Sequence, residues 1–236
     1  MTLACPPYFD ATLRQLAVLY PWDDWDVKRA YRPADPAVHA TLTPLPRRAQ
    51  IGMTIAIGEW IVCRLDKVDP DSDPKDYIEA AWCGNIHTVY CPYVEFDDDD
   101  WRGPVRRPLQ LVMAIINDAF YFEGVDPAEN AAWMFRLAEH VLPRTDSLVA
   151  WRDAVVPRLA RYFPTPVVDE FDFSYDWQES EPLVPREWFN PAFDAPSWDA
   201  DVLARRFLAG VDFLDNPFAR TPDEIRAAGL TGILMP

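Results

Sequence analysis

Three residues at regular spacing, Cys83, His87 and Cys91, are the first candidates for chemistry. Thiolate and imidazole are good zinc ligands, and positions i, i+4 and i+8 of a continuous helix share one face. No fourth ligand stands at a telling distance, and Pro92 directly follows Cys91. The competing reading is two buried thiols and a capping or core histidine, so no metal is expected. Glu59 is the most interesting single acid, because it interrupts the apolar run "IGMTIAIGEWIVCRL". A buried carboxylate either rises in pKa, as a general acid needs, or pairs with a cation as a structural ion pair. The aspartates Asp97, Asp98, Asp99 and Asp100 share only composition with a calcium loop. The D-x-[DN]-x-[DN]-G pattern with its glutamate at position twelve is missing. Adjacent aspartates repel, which fits a solvated loop leading into Trp101.

Other catalytic templates fail. The chain has no G-x-S-x-G, P-loop, G-x-G-x-x-G or H-E-x-x-H, and none of His39, His87 and His140 sits in a catalytic motif. No cofactor is expected.

The elements that must position these residues are helical. The 236 residues hold 24 Pro but only 8 Gly, which suits helices with stiff ends and fits poorly with a multi-strand sandwich. "DPKD", "DPAE" and "TPDE" each read as a cap residue, a proline at the first helical position and an acid near the positive helix end. Asp35–Pro36 is a weaker fourth case. The spacing predicts helices over Tyr8–Tyr20, a short turn from Pro36 to Leu42, and a central helix over 47–67. Further helices are expected after Pro74, from Pro108 to Phe122, from Pro127 to Leu142, over Asp146–Tyr162 with a kink at Pro157, from Ser197 to Phe213, and after Pro222. The central helix is apolar nearly all round, which marks it as buried, and its Gly52 and Gly58 imply either close approach of a neighbour or a kink. The expectation is one all-α domain of six to eight helices around helix 47–67, with an irregular acidic and aromatic arm, residues 164–196, wrapping the body.

Charge separates partner classes. The formal net charge of −16 disfavours nucleic acid and an anionic membrane surface. Residues 51–103 carry −8 and residues 164–236 carry −9, whereas 1–50 carry +1 and 104–163 are neutral. In "DEFDFSYDWQESE", acids and aromatics alternate from Asp172 to Trp177. Such a segment either pins itself to the body through its rings or offers aromatic anchors and steering carboxylates to a basic partner. The apolar run is 15 residues and contains Glu59 and Arg64, short of the roughly 20 apolar residues of a membrane span. The N-terminus lacks a signal-peptide pattern. Four cysteines, Cys5, Cys63, Cys83 and Cys91, form no C-x-x-C pair and no disulfide framework. Cys63 reads as a small buried hydrophobe, and the location expected is the reducing cytoplasm.

These observations favour a non-enzymatic binding protein for a basic protein partner, in its most concrete form an immunity or antitoxin protein masking a toxin such as a nuclease. The contact residues expected are Asp97, Asp98, Asp99, Asp100 and Trp101 with Asp172, Tyr175, Asp176, Trp177 and Glu179. Two other classes stay open. One is an enzyme or small-ligand binder with an interhelical pocket near Glu59 and His87 or His140 as base. The other is a structural subunit of a homo-oligomer.

Overall fold

A computed structural model describes residues 4–96, 100–122, 124, 126–167 and 175–236. The described residues form an all-α fold with nine α-helices: α1 (Pro36–Leu42), α2 (Arg47–Leu65), α3 (Asp73–Ile86), α4 (Gly103–Tyr121), α5 (Pro127–Val141), α6 (Asp146–Tyr162), the single turn α7 (Trp177–Ser180), α8 (Ala200–Gly210) and α9 (Pro222–Ala227). Short 3₁₀ segments lie between them. No helix among the described residues is long and apolar enough to cross a membrane.

Helix α2 is the axis of the molecule. Arg48 through Leu65 are all buried, and α3, α4 and α5 pack around the helix. Its two glycines mark close approach. A Cβ at Gly52 would sit 2.4 Å from Cζ of Phe189, and one at Gly58 would sit 2.9 Å from Cγ1 of Val112 on α4. Phe189 belongs to the arm, so the arm inserts a fully buried ring against the backbone of α2. The C-terminal helices close a second, smaller cluster in which Ala204, Leu208 and Ile225 cover Cys83, Ile86 and Tyr90.

The cap signals act as the sequence implies at three of four sites. Asp35 and Asp126 accept from the backbone N–H groups of Ala37 and Ala128, and Thr221 with Glu224 forms a complete capping box. Asp73 is itself the first residue of α3, with Ser72 as N-cap.

Four expectations are corrected. The helix over Tyr8–Tyr20 shrinks to one 3₁₀ segment, Ala11–Gln15. The buried Arg64 explains why, since its guanidinium donates to the carbonyls of Leu16 (2.7 Å) and Ala17 (3.0 Å), which a continuing helix would use itself. Helix α4 begins at Gly103, five residues before Pro108. Pro108 has no N–H for the carbonyl of Pro104, and the Tyr20 hydroxyl donates to that carbonyl instead. Helix α8 starts at Ala200 because Asp199, rather than Ser197, caps it through the N–H of Val202. Cys63 is no lone hydrophobe: it is bonded to Cys5, 58 residues away.

That bond ties the N-terminal segment to α2. Closing a loop of this length restricts the unfolded chain by an amount worth about 4 kcal/mol. Cys5→Ser is therefore expected to lower the urea unfolding free energy by about that much. An unchanged midpoint and slope would contradict the cross-link.

Candidate functional site

Glu59 lies on the face of α2 turned toward the N-terminal segment, α3 and the arm, and is only 2% exposed. Each carboxylate oxygen is occupied. Oε2 accepts from the Tyr8 hydroxyl (2.6 Å). Oε1 accepts from the indole N–H of Trp82 (3.0 Å) and from Nε of Arg186 (2.9 Å), and Nη2 of Arg186 lies at 2.7 Å. Burial, and next the Glu59 charge, push the Tyr8 hydroxyl well above its ordinary pKa, so it remains a donor. Tyr8 also stacks on Trp151 at 5.2 Å, inside an aromatic group with Phe9 and Trp60. The cavity beside Glu59, lined by Ala4, Val62, Cys63, Lys75 and Ile78, is about 10 Å³. That is scarcely room for one water. His140 donates from Nε2 to the Pro21 carbonyl (2.8 Å) and His87 accepts from the N–H of Val89 (3.2 Å). The Glu59 cluster is an ion-pair clamp joining three segments to α2.

A second clamp closes the N-terminal end of α2. Glu181 accepts from the N–H groups of Arg47 (3.0 Å) and Arg48 (2.7 Å), the arrangement in which an anion best meets a helix N-terminus. Arg48, fully buried, donates to the carbonyls of Asn85, Ile86 (2.9 Å) and Gln178 (2.6 Å). Burial pulls its pKa down to about 10, against the opposing charges of Glu181 and Asp176. Three of the contact residues expected on the arm make internal contacts here. The Tyr175 hydroxyl donates to Glu181 (2.9 Å), Trp177 lies against the guanidinium groups of Arg47 and Arg48 (5.6 and 5.0 Å), and Asp176 caps α7. Asp176 and Glu179 are exposed. Asp172 lies outside the described residues, as do Asp97, Asp98 and Asp99.

Asp100 is exposed and Trp101 is buried under Arg106 (4.5 Å), whose guanidinium also reaches Asp69 (3.5 Å) and Asp71 (2.6 Å) just past the C-terminal end of α2. Asp100–Trp101 and the described part of the arm from Tyr175 therefore stand near opposite ends of α2, a helix roughly 28 Å long at 1.5 Å per residue.

Cys83 and Cys91 are buried and His87 is half-buried with one ring nitrogen engaged. Among the described residues, no group of three or more His, Cys, Asp and Glu could hold a metal. Burial raises the Cys83 thiol well above its ordinary pKa and pushes Cys91 up to about 12. A thiol reagent at about pH 8 is expected to leave the native protein unlabelled. After unfolding without reductant it should find two thiols per chain, and four once the disulfide is reduced. Rapid labelling of the native protein would contradict this packing.

Among the described residues, the most exposed acid–aromatic surface lies outside the residues singled out in the sequence. The loop "PWDDWD", Pro21–Asp26, is locked by Asp24. Its carboxylate accepts from the indole of Trp22 (2.8 Å) and, through both oxygens at 3.0 Å, from the N–H of Gly103 at the start of α4. Gly103 has φ +82°, a conformation suited to glycine. Asp23 accepts from the N–H of Trp25 (2.9 Å). This bracing leaves Trp25 96% exposed and flanked by Asp23, Asp24 and Asp26, with Leu19 86% exposed nearby in sequence. On one side is a groove of about 210 Å³ lined by Asp24, Trp25, Trp101, Arg102 and Arg107. The signal was present: Trp22-Asp23-Asp24-Trp25-Asp26 alternates rings and acids much as Asp172–Trp177 does. The +1 charge of residues 1–50 as a whole concealed it.

Fold and site together define an all-α protein with a braced acid–aromatic ridge. No family model, curated protein or solved structure matches the chain.

Proposed function

We propose that this protein is a non-enzymatic binding module for a basic protein partner, which docks on the ridge Pro21–Asp26 with Asp100 at its edge. The observation that carries the reading is Trp25, a large ring almost fully exposed on a loop held in place by side-chain hydrogen bonds. An ordered aromatic anchor loses little entropy on binding, and surrounding carboxylates steer a cationic partner and receive its Lys and Arg side chains. Arg102 and Arg107 line the groove on one side of the ridge, so the docking surface has a positive margin that helps set orientation. The described part of the arm is assigned to structure instead of docking, because Trp177, Trp188 and Phe189 pack on the body and Glu181 caps α2. An immunity or antitoxin role, with a toxin such as a nuclease as the partner, is the narrower form of this reading, and inhibition of that partner's activity is its own test. The Cys5–Cys63 bond favours an oxidising compartment over the cytoplasm that the cysteine count suggested.

The test is co-purification at low salt from the source cell, followed by binding measurements on the captured protein. A partner of basic isoelectric point is expected. Its affinity should fall at least about tenfold with Trp25→Ala and weaken as salt rises. An acidic partner, or one bound equally well by Trp25→Ala, would overturn the assignment of the ridge.

A further inference from the structure

The ridge has a second flank, a groove of about 440 Å³ lined by Pro21, Trp22, Asp23, Asp26, Val27, Arg29, Ala30, Arg136 and His140. That volume falls in the range of small-molecule sites. Its back wall is fixed. His140 on α5 donates to the Pro21 carbonyl, and its ring meets Tyr20 at 5.3 Å and Trp22 at 5.9 Å. The groove holds charges of both signs that do not neutralise one another. Among the described residues, the side chains of Asp26, Arg29 and Arg136 make no hydrogen bond or ion pair, although Arg136 is half-buried on α5 and its charge is felt at Glu139. Asp23 spends one oxygen on the N–H of Trp25. Trp22, Val27 and Ala30 supply apolar wall between the charges.

Two cations, two carboxylates and an apolar wall in one groove match a zwitterion. We propose that this groove binds a free α-amino acid with an apolar or aromatic side chain. Arg29 and Arg136 hold its carboxylate, Asp26 and Asp23 hold its ammonium group, and Trp22 with Val27 covers its side chain. A simple anion would leave the aspartates opposed to it, and a simple cation would meet the arginines. The groove shares Trp22, Asp23 and Asp26 with the proposed docking ridge, whereas Trp25 lines the other groove.

The test is isothermal titration calorimetry of the full chain with L-phenylalanine and L-leucine, beside L-phenylalaninamide and N-acetyl-L-phenylalanine. Saturable binding of the two amino acids is expected, weakened at least about tenfold by either blocked analogue and by Arg136→Gln. Asp26→Asn, at an exposed loop position, should give the same loss without risk to the fold, and Trp25→Ala should leave binding unchanged. The proposal is overturned by absence of saturation up to about 10 mM, or by blocked analogues that bind as well as the parent amino acid. It is equally overturned if Arg136→Gln and Asp26→Asn both bind like the unaltered protein.

Discussion

The buried carboxylate of Glu59 is the constraint around which the remaining architecture is arranged. A charge on the most buried helix costs several kcal/mol unless it is paired and hydrogen-bonded. Here the partners come from three separate parts of the chain: Tyr8 from the N-terminal segment, Trp82 from α3 and Arg186 from the arm. Each segment is thereby committed to one position. The Cys5–Cys63 bond repeats the tie on the N-terminal side, and Phe189 over Gly52 repeats it on the arm side. Polar pairing sets which segments meet, and apolar packing then fills the space they leave.

The same logic operates at the far end of α2. Glu181 satisfies two N–H groups of the first turn, and Arg48 satisfies the last carbonyls of α3. Both are long-range solutions to the general problem that helix ends leave backbone groups unpaired. They make the described part of the arm around Gln178 and Glu181 a structural strap. The proposed recognition rests instead on side chains that make no such internal bonds, Trp25 and Asp26 on the ridge. Asp24 is spent on bracing, which leaves Trp25 and Asp26 available.

Much of the architecture was legible in the sequence because it rests on local rules. An apolar run without a polar face signals a buried helix, and a cap residue before proline signals a helix start. Both hold at α2, α1, α5 and α9. Apart from the start of α8, the misses have long-range causes. The helix over Tyr8–Tyr20 yields to Arg64, nearly fifty residues away by sequence. The disulfide joins two cysteines with no telling spacing. Glu59 was singled out correctly as unusual, but its partners Tyr8 and Arg186 lie 51 and 127 residues away. No periodicity reveals pairs at such distances. The candidate ridge was the least legible part. Net charge averaged over long stretches pointed to the aspartate run and the arm, while the braced loop lay in a stretch of near-zero balance.

The central claim is that Glu59 and Arg186 act as one structural unit, and a double-mutant cycle tests it most directly. Glu59→Gln, Arg186→Gln and the double variant would be compared by urea unfolding at neutral pH. Each single variant is expected to lose about 3 kcal/mol or more, because it leaves a buried charge without its counterpart. The double variant should lose clearly less than the sum, with a coupling of at least about 1.5 kcal/mol. Single losses within about 0.5 kcal/mol, simply additive in the double variant, would contradict the claim.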